Sequence, residues 1–262
     1  MLRLTILIVL LTSCSSAVPD TADRRTTEDR VSIPPAAPEP SPTARAPQVP
    51  PPVVVIDPGH NGGNAGAPEE INRPVPDGNG GTKPCNTVGT STDAGYPEHA
   101  VVGTGEHHLE SLRGKQVPYR KCDRPGEGIG PCVDQRAMIA DQAGAAAFVS
   151  IHADGSAPGD RGFHVITSTL DPAGPAVAEA SDGLAVSVRD AMSGVLPPSN
   201  YLGSNGLNPR DDLAGLNLNL RPAIYLECAN MRNATDAALL SDPAGQAAIA
   251  AAIAQGIVGF LG

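Results

Sequence analysis

The chain has few aromatic residues: 262 residues include no tryptophan, three phenylalanines and four tyrosines. Its core must therefore be built from valine, isoleucine, leucine and alanine, whose small side chains suit close packing of helices on a sheet. Basic residues are also outnumbered, since 18 lysines and arginines stand against 28 acidic residues and give a formal net charge of −10. Because binding to a phosphate backbone needs a basic face, we expect no nucleic-acid partner.

The first fourteen residues have the pattern of an export signal. A charged start at residues 1–3 precedes a short apolar stretch at residues 4–11, which is too short to span a bilayer stably. The Leu-Thr-Ser-Cys sequence at residues 11–14 resembles the lipobox of bacterial lipoproteins, whose cysteine becomes the lipidated N-terminus. We expect an exported chain in the periplasm or cell wall, held to the membrane by lipid on Cys14. An ordinary signal peptide cut nearby is the alternative.

Residues 15–52 are rich in proline, alanine, threonine and charge, a composition that excludes helix and predicts a disordered, semi-extended tether. The remaining residues, 53–262, are enough for one domain of ordinary size. They show no internal repeat, and we expect this domain to be a monomer.

Three apolar runs in this domain predict buried strands, because short β-branched stretches bounded by Gly, Pro or Asp are typical of a covered sheet. Each run carries a chemically capable residue at or near its end: His60 after residues 53–59, His152 within residues 147–155, and Glu227 after residues 221–226. A further short strand is expected at residues 162–167. Helical patterns at residues 134–143, 176–192 and 244–261 alternate with these strands and predict an α/β layout.

The two strand-end histidines are candidate metal ligands, because ligands bind at the carboxyl ends of strands in an open α/β sheet. Metal-assisted hydrolysis needs a third ligand and a base that is not itself a ligand. Asp57 and Asp154 lie close enough in sequence to orient the rings of His60 and His152. Spacing alone does not choose the third ligand among Glu69, Glu70, Glu98, His99, Glu106, His107 and His108.

Export makes disulfide bonds possible for the four cysteines that remain once Cys14 is set aside. These are Cys85, Cys122, Cys132 and Cys228, and they allow three pairings. We favour Cys85 with Cys132, because both lie in glycine- and proline-rich loops that a disulfide would order. Sequence does not decide the pairing of the other two.

Four segments together resemble the Amidase_3 family of zinc-dependent N-acetylmuramoyl-L-alanine amidases. They are Val-Ile-Asp-Pro-Gly-His at residues 55–60, Glu98 near a helix start, Ser-Ile-His-Ala-Asp at residues 150–154, and Pro-Ala-Ile-Tyr-Leu-Glu at residues 222–227 with Asn230 and Asn233 after it. Residues 80–85, 95–98 and 130–134 resemble the compact actinobacterial branch of the family. The resemblance covers residues 53–261.

This resemblance implies a twisted, mainly parallel sheet with helices on both faces. It implies one Zn²⁺ held by His60, Glu98 and His152, with Glu227 as the catalytic carboxylate. The activity implied is hydrolysis, by zinc-activated water, of the amide between N-acetylmuramic acid and the L-alanine of the stem peptide in peptidoglycan. A non-catalytic muropeptide-binding lipoprotein and a zinc peptidase acting within the stem are the alternatives.

Overall fold

The computed structural model describes residues 51–103, 119–121 and 128–262. The expected export signal, Cys14 and nearly all of the expected tether lie outside these residues. So do Cys122 and three of the ligand candidates, Glu106, His107 and His108.

The described residues form a sheet with helices on both faces and a small separate hairpin. The strands are β1 (Val54–Pro58), β2 (Pro74–Pro76), β3 (Thr82–Pro84), β4 (Tyr119–Lys121), β5 (Ala147–Asp154), β6 (His164–Ile166) and β7 (Ala223–Asn230). The helices are α1 (Pro68–Ile71), α2 (Glu98–Gly103), α3 (Val133–Gln142), α4 (Pro175–Met192), α5 (Ala214–Asn217), α6 (Ala234–Ser241) and α7 (Pro243–Leu261). A short 3₁₀ helix lies at Asn64–Gly66.

The main sheet has the strand order β4-β1-β5-β7-β6. All neighbouring strands are parallel except β6, which pairs antiparallel with β7 at the edge. The predicted α/β fold with a mainly parallel sheet is therefore confirmed. The central strands are buried on both faces, as their runs of apolar residues predict.

Alternate residues of the central strands face two different helical layers. On one face, Val149, Ile151 and Leu226 pack in one core with residues of α2, α4 and α7. On the other face, Phe148 and Tyr225 pack in a smaller core with residues of α3 and α5. The predicted helices at residues 134–143, 176–192 and 244–261 thus correspond to α3, α4 and α7, with bounds that differ by one residue.

Helix α7 is long and apolar enough to span a membrane by length and composition alone. Its buried side chains include Ile249, Ile253 and Ile257, and these lie in the larger core. The four-residue spacing of these isoleucines is that of a helix packed on a sheet. We therefore assign α7 to the core of the domain.

The long polar segment between β1 and α2 contains more structure than the sequence predicts. Strands β2 and β3 form an antiparallel hairpin within it. A disulfide joins Cys85, just after this hairpin, to Cys132, the residue before α3. This is the pairing favoured from the sequence, and both cysteines are buried beside Val75. Cys228 is a buried free cysteine.

Loss of this disulfide is expected to lower stability without changing the fold. The bond is between cysteines 47 residues apart in sequence, and closing a loop of that size contributes about 4 kcal/mol through the unfolded state. Urea unfolding of the Cys85→Ala, Cys132→Ala double variant should show a loss approaching that size. A reductant should lower the midpoint of the wild type and leave the double variant unchanged. Equal sensitivity of both proteins to the reductant would contradict the prediction.

Candidate metal centre and active site

Three of the predicted site residues meet at the carboxyl end of the sheet. His60 follows β1, His152 lies in β5, and Glu98 is the first residue of α2. One ligand atom of each lies within 4.8 Å of the corresponding atom of the other two. The other ligand candidates among the described residues, Glu69, Glu70 and His99, do not belong to this group.

Glu98 lies between the two histidines. One carboxylate oxygen, Oε2, is 3.2 Å from His60 Nε2, and the other, Oε1, is 3.1 Å from His152 Nδ1. The backbone amides of Thr90 and Ala153 donate to the same two oxygens at 3.0 and 3.1 Å. The carboxylate is therefore fixed by contacts with both histidines and two backbone segments. Glu98 is only 3% exposed.

In each histidine, the ring nitrogen that points away from Glu98 faces a fixed partner. His60 Nδ1 lies 3.1 Å from the carbonyl oxygen of Thr87, which can accept from it, and 3.2 Å from the hydroxyl of the same residue. The Thr87 carbonyl is itself held by the side-chain amide of Asn64, which donates to it at 2.7 Å. Nε2 is the ring nitrogen of His60 that faces Glu98.

A chain of polar side chains fixes His152 through its Nε2, whereas His60 is fixed through its Nδ1. Ser150 Oγ donates to Asp57 Oδ2 at 2.7 Å, so it accepts from His152 Nε2, which lies 3.1 Å away. Nδ1 of His152 is then the ring nitrogen that faces Glu98. Asp57 is buried in an ion pair with Arg136, and Tyr225 stacks on the ring of His152 with a centroid distance of 5.1 Å. This chain sets both the tautomer and the orientation of the ring.

The charges at this point favour a cation among the three groups. Burial works against a charged His60, yet its hydrogen bond with Glu98 and the charge of Glu98 raise the pKa of the His60 ring above its ordinary value. Burial likewise disfavours a charged Glu98, yet hydrogen bonds with His152 and His60 hold the pKa of Glu98 well below its usual range. Two nitrogens and one carboxylate are also the donor set of many catalytic zinc sites. The donor set and the charge therefore fit a divalent metal ion.

Glu227 lies beside this group, in a cleft with two arms. It lines both arms together with His60, Thr87 and His152. The arm toward the hairpin and α5 has a volume of about 210 Å³, and the arm toward residues 153–155 has about 330 Å³. Burial, together with the charges of Asp154 and Glu98, raises the pKa of the Glu227 carboxyl well above its usual value. A carboxyl with a raised pKa is suited to accept and return a proton near neutral pH.

The sequence predicts the residues at the strand ends but not all of the residues that hold them in place. Asp57 acts on His152 only through Ser150, which sequence analysis did not single out. Arg136 lies on α3 and forms an ion pair with Asp57 on β1. Asp154 makes its hydrogen bond with Tyr201 rather than with a candidate ligand. A polar residue two positions before His152, on the same face of the strand, is the signal that could have identified Ser150.

A His-Glu-His group at the carboxyl end of a mainly parallel sheet, with a separate carboxylate in the same cleft, is the arrangement expected of a metal-dependent hydrolase. The comparisons with known proteins specify the family. Residues 54–258 match the family model Amidase_3, described as N-acetylmuramoyl-L-alanine amidase. The chain belongs to this family.

Similar proteins come from mycobacteria. An amidase of Mycobacterium tuberculosis, N-acetylmuramoyl-L-alanine amidase Rv3717, is 43% identical over 212 residues, which cover 80% of this chain and 86% of that protein. The crystal structure of the amidase Ami1 from Mycobacterium smegmatis is 44% identical, with a TM-score of 0.76 over 80% of this chain and 96% of that one. The apo form of Ami1 from Mycobacterium abscessus is 43% identical, with a TM-score of 0.76 over 80% and 99%. The chain is thus a peptidoglycan hydrolase with N-acetylmuramoyl-L-alanine amidase activity.

The close packing around His152 leads to a test of the site geometry. A methyl group added at Gly59 would lie 2.3 Å from Cε1 of His152, and Ser150 and Tyr225 leave that ring little freedom to move. We expect Gly59→Ala to lower the turnover of muropeptide by about 100-fold, the cost of displacing a reacting group by roughly 1 Å.

Gly66→Ala is the matched control, because a methyl group there meets no atom within 4 Å. It should keep wild-type turnover. Wild-type activity in Gly59→Ala, with the folded state verified by circular dichroism, would show that the ring position is not critical.

Proposed function

We propose that His60, Glu98 and His152 hold one Zn²⁺ and that Glu227 is the catalytic base of the amidase. The observation that carries this proposal is the position of Glu98 between two histidines whose outer nitrogens face Thr87 and Ser150. Two neutral ligands and one anionic ligand leave a zinc ion with net positive charge. When bound, zinc supplies a Lewis acid next to the scissile carbonyl.

Glu227 performs the proton transfers in this proposal. Its carboxylate takes a proton from the water that attacks the lactyl carbonyl of N-acetylmuramic acid, and a C–O bond forms as that proton leaves. The C–N bond to L-alanine then breaks, and Glu227 returns the proton to the departing nitrogen. The products are a free lactyl carboxylate on the sugar and a stem peptide with a free amino terminus, so the carboxylate of Glu227 is regenerated.

Replacing the base should separate chemistry from metal binding. Glu227→Gln keeps the size of the side chain but cannot accept the proton, so we expect turnover to fall by a factor on the order of 10² to 10⁴. Zinc content, measured by atomic absorption, should stay at that of the wild type. His60→Ala is the contrasting variant, which should lose both zinc and activity.

Mass spectrometry of digested muropeptides, with and without a chelator, identifies the bond that is cut. An intact stem peptide released from an intact sugar, only in the absence of chelator, supports the proposal. Shortened peptides still attached to the sugar would indicate a zinc peptidase, and binding without release would indicate a non-catalytic lipoprotein. Unchanged turnover in Glu227→Gln would refute the role of that residue.

We also propose that the enzyme is exported and anchored to the membrane through lipid on Cys14. Support comes from the sequence of residues 1–14 and from the proline-rich composition of residues 15–52. Such a tether would let the catalytic domain reach the cell wall from a fixed anchor.

Cys14→Ser should move the protein from the membrane fraction to the soluble exported fraction of cells that express the full chain. Metabolic labelling with an alkyne fatty acid should mark the wild type and not this variant. Cys228→Ala is a control that should keep both the label and the membrane fraction. An unlabelled wild-type protein would indicate an ordinary signal peptide.

A further inference from the structure

Glu227 lies in a row of three polar side chains that crosses the sheet. Its register partner on one side, in the parallel pairing with β5, is His152. Its register partner on the other side, in the antiparallel pairing with β6, is His164. Partners in register present their side chains on the same face, and directly opposite residues of an antiparallel pair have Cβ atoms about 5 Å apart. The mechanism proposed above uses His152 and Glu227, but it gives His164 no role.

His164 is an unusual residue to bury at this position. It is 0% exposed, and among the described residues neither ring nitrogen has a hydrogen-bond partner. Burial lowers the pKa of its ring, so His164 is neutral and carries one N–H donor and one lone pair. The opposite residue, Glu227, has a buried oxygen, Oε2, that also lacks a partner among the described residues. Buried polar groups without partners are costly, and here two of them occupy facing positions.

A second carboxylate lies beside the ring of His164. Asp154 Oδ2 lies 3.8 Å from His164 Nδ1, and the hydroxyl of Tyr201 donates to the same oxygen at 2.7 Å. The ring of Tyr201 stands edge-on to the imidazole, with centroids 6.2 Å apart. Burial and the hydrogen bond with Asp154 raise the pKa of Tyr201, so this hydroxyl remains a donor. Tyr201 holds the carboxylate of Asp154, and both side chains lie against the ring of His164.

We propose that His164, which lies against Asp154 and Tyr201, is a positioning residue that orients the carboxyl of Glu227 from the facing position on β6. With Oε2 turned into the interior, the other oxygen of Glu227 is left to exchange protons in the cleft. This inference rests on the role of Glu227 proposed above. It assigns a function to residues outside the candidate zinc ligands and predicts a defect in kcat rather than in substrate or metal binding.

His164→Phe removes both ring nitrogens and keeps a flat side chain of similar volume. We expect kcat to fall by about tenfold, with KM and zinc content unchanged, because a misoriented base affects chemistry and not binding. His164→Gln restores a nitrogen donor and should recover a substantial part of kcat. Ser187→Ala is the matched control, since it removes a partly buried hydrogen bond to Gly256 between α4 and α7, and it should keep wild-type kcat.

Tyr201→Phe tests the same group without disturbing the interior, and it decides the question if His164→Phe does not fold. It should lower kcat severalfold at constant KM. An increase in KM at constant kcat would instead show that Tyr201 contacts the substrate, and this would overturn the proposal. So would wild-type kcat in His164→Phe, or a loss of activity in that variant matched by a loss of zinc.

Failure of this inference is distinguishable from failure of the proposed function. If Glu227→Gln is inactive while His164→Phe and Tyr201→Phe have wild-type kcat, only the role of His164 is wrong. If Glu227→Gln is fully active, the base itself is misassigned.

Discussion

The buried carboxylate of Glu98 is the group on which the site depends. Its oxygens contact His60 and His152 and accept hydrogen bonds from the amides of Thr90 and Ala153. An ionised carboxylate at this depth is unfavourable unless nearby groups compensate its charge. Here the two histidines and the two backbone amides do so, and the histidines are also the side chains that would bind a metal ion. Removal of this single anion would leave two histidines and two backbone segments without their common partner.

The sheet separates this polar site from the larger core by the alternation of its side chains. On β5 and β7, Ile151 and Leu226 face the larger core, whereas Ser150, His152 and Glu227 face the opposite side. That opposite face is apolar near the start of the strands and becomes polar toward their carboxyl ends. A shift of one residue in the register of either strand would move the site residues into the larger core. The packing of the core and the geometry of the site are therefore fixed by the same register.

Local patterns in the sequence predict the strand-end residues of the site. His60, His152 and Glu227 could be found because each ends a recognisable apolar run or lies near its end, and strand ends of a parallel sheet meet along one edge. Glu98 could not be found in that way, because it begins a short helix after a long irregular segment; only the family resemblance singled it out. The hairpin β2–β3 was also missed, since strands of three residues with prolines give almost no periodic signal.

The residues that support the site depend on pairings between distant parts of the chain, which no local pattern encodes. Arg136 meets Asp57 from a helix 79 residues further along the chain, and Tyr201 meets Asp154 across 47 residues. His164 lies in the short strand β6, and no local pattern shows that β6 pairs with β7 so that His164 faces Glu227. It is buried there, with neither ring nitrogen bonded to another described residue.

Close approach of the backbone explains why small residues surround the ligand group. Gly89 has a φ of +82°, and a methyl group there would lie 2.8 Å from both Glu98 Oε2 and His60 Cδ2. His60 itself has a φ of 60°, a left-handed conformation that is uncommon for any residue other than glycine. Such a conformation persists only where surrounding contacts determine it, and here the Thr87 carbonyl, fixed in turn by Asn64, holds the ring. The free-energy cost of this backbone conformation at His60 is thus offset by contacts of its side chain. The same contacts determine which ring nitrogen faces Glu98.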